Sequence, residues 1–95
     1  MDLEVRLSRL GKELSTHVPA RILDEFLELV DAGEYGVGLE ILCDRLSDAE
    51  TPLTVHDAET IHELAQEMGL DYAGVEDVDR LVVLPPDSEG LTDQP

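Results

Sequence analysis

Hydrophobic residues recur at helical spacing along the chain, and turn residues separate the periodic segments. The first segment predicts a helix over residues 2 to 15. A second helix is predicted to begin at Pro19, since proline fits a first helical turn, and to stop at Gly33. The apolar faces of these two helices consist of Leu3, Leu7, Leu10, Leu14, Ile22, Leu23, Phe26, Leu29 and Val30.

Two more periodic segments follow. The third helix is predicted to span roughly residues 36 to 48. Thr54, followed three residues later by Asp57, resembles a capping box, so a fourth helix is predicted from there to Met68, with Gly69 as its stop. The apolar residues of these two segments are Tyr35, Leu39, Leu42, Leu46, Ala58, Ile61, Leu64, Ala65 and Met68.

The C-terminal part gives a weaker pattern. Val75, Val78 and Val82 suit a fifth short helix, whereas the β-branched content of residues 71 to 84 suits an extended strap. The segment PPDSEGLTDQP, residues 85 to 95, is polar and acidic and is predicted to be a disordered tail. We therefore expect an all-α fold: a small bundle of four amphipathic helices forming one domain, residues 1 to 84. The C-terminal element of this domain is either a short helix or an extended strap.

Charge narrows the range of partners. The 95 residues include 23 acidic and 6 basic side chains, for a net charge of −17. Residues 1 to 15 hold three acids and three bases, so the rest of the chain carries the whole negative charge. Binding to nucleic acid through phosphates needs Lys and Arg, and anionic lipid would repel this chain. A basic protein partner, by contrast, would be attracted and steered towards it.

Cysteine content and the N-terminal pattern bear on location. Cys43 is the only cysteine, so an internal disulfide is impossible, which fits a reducing compartment. The first residues are amphipathic, and no apolar run in the chain approaches membrane-spanning length. We expect a cytoplasmic protein without a membrane partner.

The glycine-rich stretch GEYGVGLE, residues 33 to 40, raises the possibility of a phosphate-binding loop. A dinucleotide loop needs G-x-G-x-x-G after a strand, but here the order is G-x-x-G-x-G after a helix, and Glu34 and Glu40 would repel phosphate. The stretch is therefore interpreted as a turn between helices. Gly36 and Gly38 are expected to let the second and third helices approach closely.

No motif predicts a catalytic, metal or cofactor site. His56 and His62 lie six residues apart, on different faces of a helix, and Cys43 has no CxxC partner. Cys43 as a nucleophile with a histidine base lacks a local signature, and a buried cysteine usually acts as a small hydrophobe. An acyl carrier protein would need a serine near the start of its second helix, which is absent. We predict a protein that is not an enzyme and binds no cofactor or small molecule.

Acidic residues on three predicted helices lie opposite the apolar faces when counted at about 100° per residue. On the second helix these are Asp24, Glu28 and Asp31. Two interpretations remain open: a solvated outer face, as in proteins of salt-loving organisms, or a mimic of polyanionic nucleic acid that binds a basic cleft. Val37, an apolar residue on the acidic side of the third helix, favours a contact surface. The candidate partner-binding residues are Glu34, Val37, Glu40, Asp44, Asp48, Glu59, Glu63 and Glu67.

The central part of the chain carries a family resemblance. The succession AGEYGVGLEILCDRL (32 to 46), TPLT (51 to 54) and LAQEMGLD (64 to 71) resembles the MafI-type immunity proteins of bacterial polymorphic toxin systems. Those proteins show an acid-aromatic-glycine turn, a Leu-Cys-Asp-x-Leu helix, a Pro-Leu-Thr-like break and a closing Met-Gly-Leu. The chain departs from the pattern at Gly38, where a helix-favouring small residue is more usual.

The resemblance implies a small cytoplasmic immunity protein that binds a cognate toxin and prevents self-poisoning. Combined with the acidic surface, it predicts a toxin with a basic cleft, such as a nuclease. The alternative is an acidic helical adaptor or regulatory subunit of another assembly, in which the charge serves solubility.

Overall fold

The computed structural model describes residues 2 to 85, so most of the predicted tail, 86 to 95, lies outside the described residues. The predicted all-α bundle is confirmed. None of the described helices is long and apolar enough to cross a lipid bilayer. The helices are α1 (Leu3–Leu14), α2 (Ala20–Asp31), α3 (Tyr35–Asp48), α4 (Val55–Glu67) and α5 (Ala73–Asp77), and α5 continues into a 3₁₀ turn, Val78–Leu81.

The start of α4 has the capping box that the sequence predicts. The Asp57 N–H donates to Thr54 Oγ1 at 3.0 Å, and the Thr54 N–H donates to Asp57 Oδ2 at 2.9 Å. Two otherwise unpaired backbone donors are thus satisfied at a helix end that lies in the protein interior.

Three helices end in a residue with positive φ. Gly33 after α2 has φ 81° and Gly69 after α4 has φ 66°, as expected for the two predicted stops. After α3 the same position is occupied by Glu50, with φ 52°. There the Thr51 N–H donates to the Leu46 carbonyl at 3.0 Å, which closes the helix despite the unfavourable conformation of Glu50.

One hydrophobic core joins all the helices. Most of the apolar residues predicted to lie inside are buried, and Phe26 is fully enclosed. Met68, the C-cap residue that follows α4, is an exception: it is only partly buried. Leu29 and Tyr35 are also only partly buried.

Close packing of α2 and α3 depends on Gly38. A Cβ at this position would lie 3.3 Å from the Leu29 Cβ, so a larger residue would push the helices apart. Gly36 was also expected to let α2 and α3 approach closely, and this was wrong. A Cβ added to Gly36 would instead face the side chain of Leu70, after α4, at 3.8 Å.

The C-terminal segment contains both of the structures that the sequence left open. Residues 73 to 81 are helical, and the chain then becomes extended, with Val82 paired in parallel with Leu53. The Leu53 N–H donates to the Leu81 carbonyl at 2.9 Å, and the Val83 N–H donates to the Leu53 carbonyl at 3.1 Å. This strap holds the segment in place, and α5 packs against both α3 and α4.

Candidate partner-binding surface

The outer side of α3 and the turn before it display several of the predicted contact residues. Val37 is 46 % exposed, as are two other helical valines, Val5 and Val55, to a similar extent. Glu34 and Asp48 are exposed, whereas Glu40 and Asp44 are half-buried. The direction predicted for this face is therefore correct, but a neighbouring element covers part of it.

The element that covers part of this face is the C-terminal segment, through Tyr72, the residue preceding α5. The Tyr72 hydroxyl lies 2.9 Å and 2.8 Å from the two carboxylate oxygens of Asp44 and donates to that carboxylate. This hydrogen bond, together with burial and the negative charges of Asp44 and Glu40, raises the pKa of Tyr72. Asp44 is thus a docking point for the C-terminal segment as well as a surface charge, a role that the sequence did not predict.

The helix α5 adds an acid that sequence reasoning missed. Burial raises the pKa of the Cys43 thiol to about 12, and the negative charges of Asp44, Glu40 and Asp77 act in the same direction. These three carboxylates are near enough to act on one buried thiol, and Asp77 lies on α5, which packs against α3. The signal was present in the acidic run VEDVD, residues 75 to 79, but the conformation of that segment was undecided.

We name this region the α3–α5 acidic surface, and we define it by its five members. Among residues 2 to 85, the carboxylates of Glu40, Asp48 and Asp77 form no ion pair within 4.0 Å. Their charge is available to a partner. The members of the surface are Val37, Glu40, Asp44, Asp48 and Asp77.

The cations nearest to α3 are already occupied. The Arg45 side chain on α3 donates to Glu25 of α2, with Nε 3.0 Å from Oε1. Arg80 Nη1 lies 3.2 Å from Glu50 Oε2, and its Nη2 donates to the Ser47 carbonyl at 3.2 Å. Each arginine forms its ion pair with a carboxylate outside the acidic surface, although the negative charges of Asp48 and Asp44 also help to raise the pKa of Arg45.

The predicted acids of α4 face a different neighbour. Glu67 forms an ion pair with Arg6 of α1, and that hydrogen bond lowers the pKa of Glu67. Glu63 lines the same shallow pocket beside Arg6, and Glu59 is exposed. The α4 acids Glu63 and Glu67 thus lie along the contact with α1, whereas Glu40 and Asp44 lie beside α5. Glu67 thus already has a cationic partner among the described residues, unlike the predicted contact residues on α3.

A chain of polar contacts, buried only at its Asp57 end, connects the loop between α1 and α2 to the first turn of α4. His17 Nε2 lies 2.7 Å from Asp57 Oδ2, and His17 Nδ1 lies 2.7 Å from Thr16 Oγ1. The order hydroxyl, imidazole and carboxylate resembles a catalytic triad, but the same Asp57 oxygen also accepts the Thr54 N–H of the capping box. We interpret this chain as a structural link.

In the described part of the chain, no group of three or more His, Cys, Asp or Glu side chains is placed so that it could hold a metal ion. Cys43, fully buried and with a raised pKa, is a core thiol.

Comparison with known proteins gives no further assignment: no family model, curated protein or solved structure matches the chain. The resemblance to MafI-type immunity proteins is therefore a hypothesis that depends on the sequence motifs alone. The geometry of the α3–α5 acidic surface is independent of that hypothesis and can be tested separately.

Proposed function

We propose that this chain is an immunity protein that binds a cognate bacterial toxin through the α3–α5 acidic surface. The observation that carries the proposal is an exposed valine, Val37, on a helix whose nearby carboxylates at Glu40 and Asp48 form no ion pair within 4.0 Å among the described residues. An exposed apolar residue beside such carboxylates suits contact with a basic partner. The family resemblance over residues 28 to 70 supplies the nature of the partner.

The toxin that fits this surface has a basic cleft, as nucleases do. Arg and Lys side chains that bind phosphates in such a cleft can pair with carboxylates instead, and Val37 would exclude water from the contact. The net charge of −17 would also accelerate association with a basic partner. Inhibition would then follow from occupation of the substrate cleft.

The test uses the toxin domain encoded next to this gene, where immunity genes lie in such systems. Its affinity for the chain and the survival of cells expressing both are measured. The variant Glu40→Gln/Asp48→Asn/Asp77→Asn removes three charges from the proposed surface and leaves Asp44 bound to Tyr72. We expect it to weaken the complex about 30-fold or more, because unpairing a desolvated charge typically costs about 2–5 kcal/mol.

The matched control removes three charges from α2 instead, through Asp24→Asn/Glu28→Gln/Asp31→Asn. These residues are exposed and lie outside the proposed surface. The control should reduce the association rate slightly and leave the dissociation rate unchanged. Equal effects of the two variants would show that the acids act only as bulk charge, and absence of binding and protection would refute the immunity role.

A further inference from the structure

The outer face of α1 differs in charge from the rest of the molecule. Val5 is 47 % exposed there, beside Arg9 and Lys12. Arg6, Arg45 and Arg80 each pair with a glutamate, but Arg9 and Lys12 form no ion pair with another described residue. In a chain of charge −17, this face combines an exposed apolar residue with free cations.

An apolar groove of about 500 Å³ runs beside this face, between α1 and α2. Its floor is formed where Gly11 meets Leu27: a Cβ on Gly11 would lie 3.0 Å from the Leu27 side chain. Val18 and Leu23 extend the apolar lining, and one base and one acid, Lys12 and Asp24, also line the groove.

We propose that two copies of this chain associate through α1, with the two helices antiparallel about a twofold axis at Ser8. The distribution of charge along the chain favours this face for self-association. Residues 1 to 15 hold as many bases as acids, whereas residues 16 to 95 hold 20 acids and 3 bases. Two copies therefore repel one another strongly wherever the acidic surfaces meet, and they can approach through α1 without that cost.

The sequence of α1 is complementary to itself in this arrangement. A twofold axis at Ser8 places each residue opposite the one equally far on the other side of position 8 in the partner copy. Glu4 then lies opposite Lys12, and Val5 lies opposite Gly11. At about 100° per residue, Glu4, Val5 and Lys12 lie within about 60° of the direction of Ser8, and all three are exposed. Gly11 lies on the same side but is buried against Leu27, so it forms the floor that Val5 of the other copy would approach. Each copy would thus insert Val5 into the other's groove and form a Glu4–Lys12 ion pair.

The association should be weak and dependent on concentration, because one helix and a shallow groove bury less area than a permanent dimer needs. It would leave the α3–α5 acidic surface free, since none of the proposed contacts lies on α3 or α5. The inference is independent of the toxin-binding proposal, and either can fail without the other.

Sedimentation equilibrium of the complete chain tests the inference, at about 0.15 M NaCl and from about 10 μM to about 1 mM protein. We expect the wild-type protein to form dimers in this range. Val5→Glu should weaken association tenfold or more. Glu4→Lys and Lys12→Glu should each do the same, because each creates two pairs of like charges across the twofold axis.

The decisive variant is the double reversal Glu4→Lys/Lys12→Glu, which restores both ion pairs with opposite polarity and should restore dimerisation. Arg21→Glu, an exposed residue outside the groove lining, makes the same change in net charge as Lys12→Glu and should have a small effect. Circular dichroism confirms that each variant is folded. A wild-type protein that is monomeric throughout would overturn the proposal and leave the groove to a different partner. A double reversal that fails to restore the dimer would also overturn it.

Discussion

The Tyr72–Asp44 hydrogen bond attaches the C-terminal segment to α3, and Tyr72→Phe removes it without creating a cavity. The hydroxyl lies within 2.9 Å of both carboxylate oxygens. A hydrogen bond to a charged group contributes about 1.5–3 kcal/mol when it is buried. Both side chains here are half-buried, so competition with water reduces that value, and we expect a loss of about 1 kcal/mol in the free energy of unfolding at neutral pH.

The pH dependence of this contribution has a definite sign. The pKa of Tyr72 is raised in the folded state, first by the hydrogen bond to Asp44 and then by burial. The stabilisation is therefore complete below the pKa of an unfolded tyrosine, about 10, and is lost as the pH rises through the higher pKa of the folded state. The difference in stability between wild type and Tyr72→Phe should shrink over that range.

Tyrosinate absorbance provides a direct measurement. The chain has two tyrosines, and the pKa of Tyr35 is raised as well, chiefly by burial, so the titration is done in a Tyr35→Phe background. Tyr72 should then titrate above about 10, and adding Asp44→Asn should bring its pKa down. Urea unfolding at neutral pH measures the loss of stability. A Tyr72 that titrates near 10 whether residue 44 is Asp or Asn would refute the reasoning, since no anion would then be acting on it.

Three further changes test the core, the capping box and a strained turn, each by urea unfolding. Phe26→Ala should reduce stability by about 3–5 kcal/mol, because it empties a fully buried aromatic site; an unchanged midpoint would mean that Phe26 is exposed. Asp57→Ala should cost about 3 kcal/mol, because the Thr54 N–H and His17 lose a shared buried acceptor; Asp57→Asn, which keeps one acceptor oxygen, should cost distinctly less, and equal losses would contradict this account. Glu50→Gly should stabilise the protein by about 0.5–1 kcal/mol, because glycine adopts the positive φ of this residue without strain; a loss of stability would contradict the account.

The parts of the fold that follow from the sequence are those whose causes are local. The apolar spacing of four segments predicts four helices, and their observed bounds differ from the predicted ones by about a residue. The Thr54 cap and the stops at Gly33 and Gly69 depend on hydrogen bonds between residues at most five positions apart, so the sequence displays both partners together. Periodicity likewise predicts that Val37 points outwards.

Local sequence patterns do not predict contacts between residues that are distant in the sequence. Tyr72 and Asp44 lie 28 positions apart, and His17 and Asp57 lie 40 apart. Neither pair leaves a trace in periodicity or spacing, so a count around the helix shows where Asp44 points but not what covers it. Asp77 was missed for the same reason: its place beside α3 depends on the docking of α5.

The distribution of the few cations explains how a chain of charge −17 can have an acidic surface on α3 and α5 and a nearly neutral one on α1. Three arginines connect separate segments: Arg6 binds Glu67 across α1 and α4, Arg45 binds Glu25 across α3 and α2, and Arg80 binds the end of α3. Exposed ion pairs of this kind contribute little stability singly, but each occupies one of the six basic side chains with a particular glutamate or backbone oxygen. Among the described residues, the bases that form no ion pair lie on α1 and in the first turn of α2. The acids of α3 and α5 that form no ion pair carry the negative charge on which the proposed toxin contact depends, while residues 1 to 15 of the α1 region hold equal numbers of acids and bases, as the proposed self-association requires.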